Sequence, residues 1–232
     1  MDRTHFRSFA LILLSLTLAP SAFAGQTYSL QGFDSIQVES GIQVELSEGS
    51  FSVERTSDPA PSNLVLTVED HTLRLGFRMS WTSWFFDGLR NTARFRISLP
   101  HLRSLELSGG SRAQIQYAKG NDLSLSLSGG SQVKGTIKGG QIDAEFSGGS
   151  WATLEGAASS LKLEASGGAW FRSPSFTAQE GTFDLSGGSG ARLVLLGAVS
   201  VEASGGSTLE YTGSPQIVRQ STSGGSTVRS NS

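Results

Sequence analysis

The sequence predicts an all-β fold: a single-stranded parallel β-helix, or β-solenoid, with coils of about 19 residues. Three observations support this prediction. A Ser-Gly-Gly motif recurs at regular spacing, apolar residues alternate on both sides of each copy, and no segment shows a helical period. Successive copies begin 18 to 20 residues apart, at Ser108, Ser128, Ser147, Ser166, Ser186, Ser204 and Ser223.

The residues before each motif predict a strand with one buried face. The positions one and three before the motif Ser are apolar in the first six copies, as at Leu107 and Leu105. Alternate residues of a strand share one face, so we expect these side chains to point into the core. In the last copy Thr222 and Gln220 replace them, which predicts a polar cap on the final coil.

The Gly-Gly pair predicts a corner between two strands. The apolar pattern resumes five residues after the motif Ser, as at Val133 and Phe171, whereas a flexible Gly/Ser linker would lack such alternation. Glycine suits a corner that needs a positive φ and close stacking of backbones. Each coil is therefore a strand, a corner, a second strand and a variable return. We expect a right-handed solenoid, because that is the commoner parallel form.

Composition narrows the classes of function. The chain has 232 residues, 29 of them Gly, no Cys and a formal net charge of −2. The absence of Cys excludes disulfide scaffolds, thiol nucleophiles and thiolate metal sites. A slight acidic excess argues against a nucleic-acid partner, which needs a basic surface. The 37% of apolar residues is enough to build a core despite the glycine content.

The first 24 residues have the features of a signal peptide. Arg3 and Arg7 precede a short apolar run at 9–18, and Ala22 and Ala24 form a small-residue cleavage site. We therefore expect an exported protein in the periplasm or on the cell surface of a bacterium. No later apolar stretch is long enough to span a membrane. Residues 25–232 are expected to form one β-helix domain, with irregular coils over 26–100 and regular coils over 101–232.

Three segments resemble a known family. The stretch from Phe33 to Leu46 (FDSIQVESGIQVEL), the Leu-Arg-Leu that begins at Leu73, and the run from Ile97 to Gly109 (ISLPHLRSLELSG) are similar to the head GIN domain family of proposed auto-transporter adhesins. In this chain Gln43 stands where the family's Gly-Ile-Asn has its Asn. The resemblance implies a β-helical fold in exported envelope proteins, and no established activity.

The sequence predicts no catalytic residues, no metal site and no cofactor. His71 follows an acidic pair in a predicted hairpin turn, and His101 lies at the start of the first regular coil, so both are expected to be structural. The chain has no nucleophile elbow of the G-x-S-x-G type, and its Gly-Gly corners lack the Lys and the helix of a phosphate loop. A polysaccharide-cleaving enzyme remains an alternative, since polysaccharide lyases also use parallel β-helices.

Two outward ladders of side chains are candidate binding sites, because equivalent positions of a solenoid stack on one another. Two before the motif Ser lies an acidic ladder, a candidate for a cation or a basic partner, although a solvated face that discourages aggregation is an alternative. It comprises Glu106, Glu145, Glu164, Asp184 and Glu202. Past the corner, stacked indoles beside two cations form a candidate glycan shelf, although coverage of both indoles by the return segment or by Arg side chains is an alternative. The shelf comprises Trp151, Trp170, Lys134 and Arg172.

A third candidate is an aromatic loop between two predicted strands, comprising Trp81, Trp84, Phe85 and Phe86. Four large rings in six residues are too much apolar surface to leave in water. The loop is expected either to plug the end of the solenoid or to dock an envelope protein or a second copy of the chain. The favoured function is thus non-catalytic, adhesin-like binding of a glycan or protein at the cell envelope, with an envelope scaffold as a further alternative.

Overall fold

The computed structural model describes residues 25–57, 63–78 and 93–231, and in these ranges the chain forms strands and turns but no helix. Accordingly, no helix of the described residues could cross a membrane. The strands join in one sheet that winds into a parallel β-solenoid, as the motif spacing predicts. Its first strands in chain order are β1 (Gln26–Tyr28), β2 (Ser35–Val38), β3 (Gln43–Glu48), β4 (Ser52–Arg55), β5 (Leu64–Glu69), β6 (Thr72–Phe77) and β7 (Arg94–Leu99).

The regular coils follow from β8 onwards. Their strands are β8 (Ser104–Leu107), β9 (Arg112–Leu127), β10 (Gln132–Phe146), β11 (Trp151–Ala165), β12 (Trp170–Leu185), β13 (Gly190–Leu195), β14 (Ala198–Ala203), β15 (Thr208–Thr212), β16 (Gln216–Thr222) and β17 (Thr227–Ser230). Strands β9 to β12 run unbroken from one corner to the next. The returns expected to vary are thus extended and paired here, since β10 stays in parallel register with β11 along nearly its whole length.

The two positions of a corner favour glycine for different physical reasons. Gly129 has φ of 59°, and a Cβ there would lie 3.1 Å from the backbone nitrogen of Gly109 in the preceding corner. Gly130 has φ of 81° but open space around it, so only its backbone conformation favours glycine. The close stacking of this corner on the one before it therefore depends on its first glycine, and the chain reversal in this corner depends on both.

The fourth residue of the motif is an inward-facing Ser. The Ser131 side chain is fully buried, and its hydroxyl donates a shared hydrogen bond to the carbonyl oxygens of Ser128 and Leu107, at 2.8 and 2.9 Å. The second of these bonds joins adjacent coils. The buried equivalents are Ser111, Ser150, Ser189 and Ser207, and Ala169 takes the position in one coil. This internal ladder closes each corner and explains why that position carries a small residue.

Apolar side chains from both strands of every coil meet in one continuous core. Phenylalanine fills its middle: the rings of Phe146 and Phe171 stack with centroids 6.2 Å apart, and Phe176 meets Phe171 edge-on at 5.6 Å. The alternation read from the sequence thus identifies the buried face correctly. The inward Phe171 leaves its neighbours Trp170 and Arg172 on the outer face of the same strand.

The N-terminal strands do not stack in chain order. Strand β2 lies between β6 and β8, and β3 lies between β7 and β9, all in parallel register. The chain therefore leaves its first coil, forms a layer on the far side of it, and returns to continue the solenoid. Strands β1, β4 and β5 add antiparallel pairings to this layer. As a result, residues distant in sequence become neighbours on the outer surface.

The final coil exposes its strands. Every residue of β16 is exposed, and Gln220 and Thr222 lie in register with the buried Val201 and Ala203 of the coil before. These polar residues occupy the positions that hold apolar side chains elsewhere. The last coil thus covers the apolar core with groups that water can solvate.

Candidate binding faces

The solenoid presents two charged outer surfaces on either side of the corners. The acidic face consists of the outward residues in the segments that lead directly into a corner, and the acidic ladder lies on it. The basic face consists of the outward residues in the segments that directly follow a corner, with the indoles in its middle. Because each strand alternates inward and outward side chains, the core pattern determines which residues reach each face.

On the acidic face the predicted ladder is in register. Glu145 pairs with Glu164, Glu164 with Asp184, and Asp184 with Glu202, while Ser126 separates Glu145 from Glu106. All five acidic side chains are exposed. Glu145, Glu164 and Asp184 line a shallow depression of about 300 Å³. Like charges this close repel one another, but water screens most of the effect.

Cations on the same face compensate part of this charge. The Nζ of Lys162 lies 2.7 Å from Oε1 of Glu164, and the Arg219 guanidinium lies 2.9 Å from Oε1 of Glu202. The hydrogen bond from Lys162 to Glu164, aided by nearby acidic charge, raises the pKa of Lys162. Within the described ranges no group of three His, Asp or Glu side chains could hold a metal ion. Two of the five ladder carboxylates, Glu164 and Glu202, are thus paired with cations of the same face.

On the basic face one outward position carries the indoles. Trp151 pairs with Trp170 in the next coil, and both side chains are half-buried. The Nζ of Lys134 lies 4.8 Å from the centroid of the Trp151 ring, and Cζ of Arg172 lies 4.9 Å from that of Trp170. The four residues predicted as a shelf are thus brought together, with each indole in contact with a cation. Such contacts are worth about 0.5–1 kcal/mol at exposed sites.

Trp170 lies over the next coil. Gly190 occupies the equivalent position there, and a Cβ on it would come within 2.7 Å of two atoms of the indole ring. The absence of a side chain at Gly190 lets the indole lie against the backbone. Trp170 is therefore held from below by Gly190 and contacted by the Arg172 side chain.

A bulge lies beside this pair. Four residues of β12, from Ser173 to Phe176, intervene where the facing segment of β13 has one. The buried Ser173 hydroxyl accepts a hydrogen bond of 2.8 Å from the backbone nitrogen of Leu154, and Pro174 and Ser175 are exposed. Bulges bend a strand and redirect its side chains, and they are common near functional sites. This one places the exposed Pro174 and Ser175 directly after Arg172.

The cations of the basic face fall into two groups. At one end Glu210 forms ion pairs with Arg192, at 3.7 Å, and with Arg229, and the hydrogen bond from Arg229 lowers the pKa of Glu210. On the N-terminal layer Arg96 of β7 lies 3.3 Å from Glu45 of β3. No carboxylate of the described residues comes within ion-pair distance of Arg94, which shares β7 with Arg96, or of the outward cations Arg112, Lys134 and Arg172.

Arg94 and Arg112 border a depression of about 210 Å³. Gln43 lies between them in the sheet, because β3 pairs with β7 on one side and β9 on the other. Gln132 and Lys134 complete its edge toward the indoles. Sequence reasoning missed Arg94, Gln43, Arg112 and Gln132. Arg112 and Gln132 occupy the same motif position as the indoles, so following that position through every copy would have found them.

The two histidines lie outside this arrangement of side chains. His71 is at the turn of the β5–β6 hairpin with φ of 60°, and its Nδ1 lies 2.9 Å from the Gly32 carbonyl oxygen. His101 is exposed at the start of β8's coil. The candidate loop with Trp81, Trp84, Phe85 and Phe86 falls outside the described residues, as do residues 1–24 with the predicted signal peptide.

Together the fold and its surfaces define a class: a β-solenoid repeat protein that presents extended charged faces. Within that class, the chain belongs to the family described as "putative auto-transporter adhesin, head GIN domain", whose model matches residues 32–215. This confirms the resemblance read from the sequence. No curated protein matches the chain.

Solved structures share the fold. A proposed adhesin of Bacteroides fragilis is 16% identical, with a TM-score of 0.72 over 91% of this chain and 99% of that one. A proposed adhesin of Parabacteroides merdae is 12% identical, with a TM-score of 0.63 over 90% of this chain and 96% of that one. A proposed lipid-binding protein of Parabacteroides distasonis is 14% identical, with a TM-score of 0.60 over the same shares. At such identities the likeness concerns the fold alone.

Proposed function

We propose that this protein is an exported, non-catalytic binding module of the cell envelope, and that its basic face binds glycans. The observation that carries the proposal is the pairing of Trp151 with Trp170 in adjacent coils, with Lys134 and Arg172 against their rings. Membership of a family named for adhesion supports a binding role. The charged n-region and cleavage signal of residues 1–24 support export to the periplasm or surface.

The chemistry of the shelf suits a sugar. The apolar C–H face of a pyranose packs on an indole, while cations and amides bind its hydroxyl or carboxylate groups. A contact of 0.5–1 kcal/mol between a cation and an exposed ring is weak enough for a ligand to displace. Lys134 and Arg172 can then turn from the ring to the bound sugar, so that the unliganded indoles stay covered until a ligand arrives.

The test is retention of glycans by the full exported chain. Replacing both Trp151 and Trp170 with Ala should abolish binding on a glycan array, because the stacking surface is removed. The fold should persist, since both side chains lie on the outer face and the core is unchanged. A matched control replaces Thr182 and Ser200, which pair on the acidic face of adjacent coils, with Ala.

Two measurements make the result decisive. The circular dichroism spectra of the double Trp variant and the wild type should be the same, and their melting temperatures should agree to within a few degrees. Phenylalanine at both positions should restore part of the binding, because a smaller ring still stacks. Array binding by the double Ala variant equal to that of the wild type would show that the shelf is not the site.

A further inference from the structure

We infer that the ligand of the basic face is a linear glycan carrying carboxylates, which runs along the solenoid axis from the Arg94–Arg112 depression to Arg172. The inference rests on the proposed function and specifies its ligand. Its basis is that four cations without a carboxylate partner among the described residues, Arg94, Arg112, Lys134 and Arg172, follow one another along one stretch of this face. On the acidic face Arg219 and Lys162 have an acidic partner, whereas Arg74 there has none within the part of the chain that the structure describes.

The stretch has a continuous order set by strand pairing. Successive strands carry, at one outward position, Arg94, Gln43, Arg112, Gln132, Trp151 and Trp170. Neighbouring strands are about 4.8 Å apart, so these six positions span about 24 Å. That length fits several sugar units and far exceeds a single small anion. A chain lying across the strands would meet cations and amides first and the indoles last.

The residue types indicate the ligand's groups. Guanidinium groups bind carboxylates through two parallel hydrogen bonds, which makes Arg94 and Arg112 suited to a uronate. The amides of Gln43 and Gln132 can donate to and accept from hydroxyls. Lys134 and Arg172 add charge beside the two rings. Alternating charge, amide and indole is the complement of a polymer whose units carry both carboxylates and hydroxyls on an apolar ring.

The surroundings favour this ligand over a bare polyanion. The basic strip is short. Its positive charge is limited by Glu45, which lines the Arg94–Arg112 depression and pairs with Arg96, and by Glu210 beyond the indoles. The formal net charge of the chain is −2, so the protein as a whole does not attract anions. The exposed Pro174 and Ser175 of the bulge follow Arg172 along β12 and lie to one side of the strip.

The experiment measures affinity of the full chain for oligomers of galacturonate, glucuronate and guluronate, each beside its methyl ester. At least one acid oligomer should bind, and its methyl ester should bind at least tenfold more weakly because the ester carries no charge. Replacing both Arg94 and Arg112 with Gln should weaken binding of the acid form about tenfold or more, since hydrogen bonds to charged groups are strong. The matched control Arg74→Gln removes one exposed cation from the acidic face and should leave the affinity unchanged.

The outcomes separate the two proposals. If an acid oligomer and its ester bind equally, or if the double Arg variant binds like the wild type, the carboxylate assignment is overturned. Loss of binding in the double Trp variant would still support glycan binding in that case. Equal affinity for inorganic polyphosphate would overturn the assignment as well, because it would indicate a response to charge alone. Failure of every oligomer to bind would overturn it too, and if neutral glycans on the array also fail, the proposed function falls with it.

Discussion

The indole of Trp170 lies directly against Gly190 of the next coil, where a Cβ would come within 2.7 Å of the ring. This contact joins two features that the sequence separates by twenty residues: an outward aromatic residue and the Gly that follows one Ser-Gly-Gly-Ser motif. It lets the Cη2 and Cζ3 atoms of the indole lie close to the Gly190 backbone, with the Arg172 side chain also in contact with the ring. The position of the shelf thus depends on a missing side chain.

Gly190→Ala should therefore displace Trp170. The new Cβ would also lie 2.8 Å from the Thr208 carbonyl oxygen, so the backbone must shift as well, and we expect about 1–3 kcal/mol of destabilisation. Chemical denaturation measures this change, and Trp fluorescence should report greater exposure of an indole. Gly188→Ala is the matched control, since its Cβ would make an ordinary 3.4 Å contact. Equal stability of the two variants would contradict the packing described.

The corner glycines give a second prediction. Gly129→Ala combines a positive φ with a 3.1 Å approach to the Gly109 nitrogen and should cost about 1–3 kcal/mol. Gly149→Ala should be nearly neutral, because Gly149 has no positive φ and open space around it. Urea unfolding of both variants provides the measurement. A large loss at Gly149, or none at Gly129, would show that the corners are not held as the structure indicates.

The internal Ser ladder gives a third prediction. Ser131→Ala removes the hydroxyl that links its corner to the Leu107 carbonyl oxygen. That oxygen also accepts a hydrogen bond from the Ser128 nitrogen at 2.9 Å, so it keeps a partner. We expect a loss of about 1 kcal/mol, the usual net value of one hydrogen bond. The exposed Ser124→Ala should change stability by less, and a loss as large there would remove the special role of the buried hydroxyl.

Acid should weaken the C-terminal coils through Glu210. Its hydrogen bond from Arg229 lowers its pKa, so the folded state keeps the carboxylate charged at pH values where the unfolded chain takes up a proton. This contribution to stability is present above the ordinary Glu pKa and is lost as pH falls through the lowered one. Melting temperatures measured across the acid range should fall less steeply for Glu210→Gln than for the wild type. Parallel curves would contradict the assignment.

Much of this architecture is predictable because a solenoid repeats the same pattern of buried and outward positions in each regular coil. Alternation around Leu107 and Phe171 identifies the buried face, and the motif spacing places Trp151 beside Trp170. The layer containing Arg94 is not predictable in this way, because its place depends on the chain folding back past Gln43 before the regular coils begin. Local patterns carry no information on that order, so the Arg94–Gln43–Arg112 sequence of neighbours appears only in three dimensions.

Other details were hidden for a related reason. The buried Ser131 reads as a polar corner residue, although Ala169 at the equivalent position is a sign that the side chain points inward. The bulge at Ser173 shifts the strand register, and counting residues between successive motifs does not reveal this shift. The contacts of Lys134 and Arg172 with the rings depend on side-chain direction, which spacing leaves open.

Hydrogen–deuterium exchange with and without a glycan retained by the array tests the central claim most directly. If the basic face binds the ligand, exchange of the backbone amides should slow around Gln132, Trp151 and Trp170. It should stay unchanged around Glu164 and Glu202 on the acidic face. Protection confined to the acidic face, or to segments away from both indoles, would contradict the account.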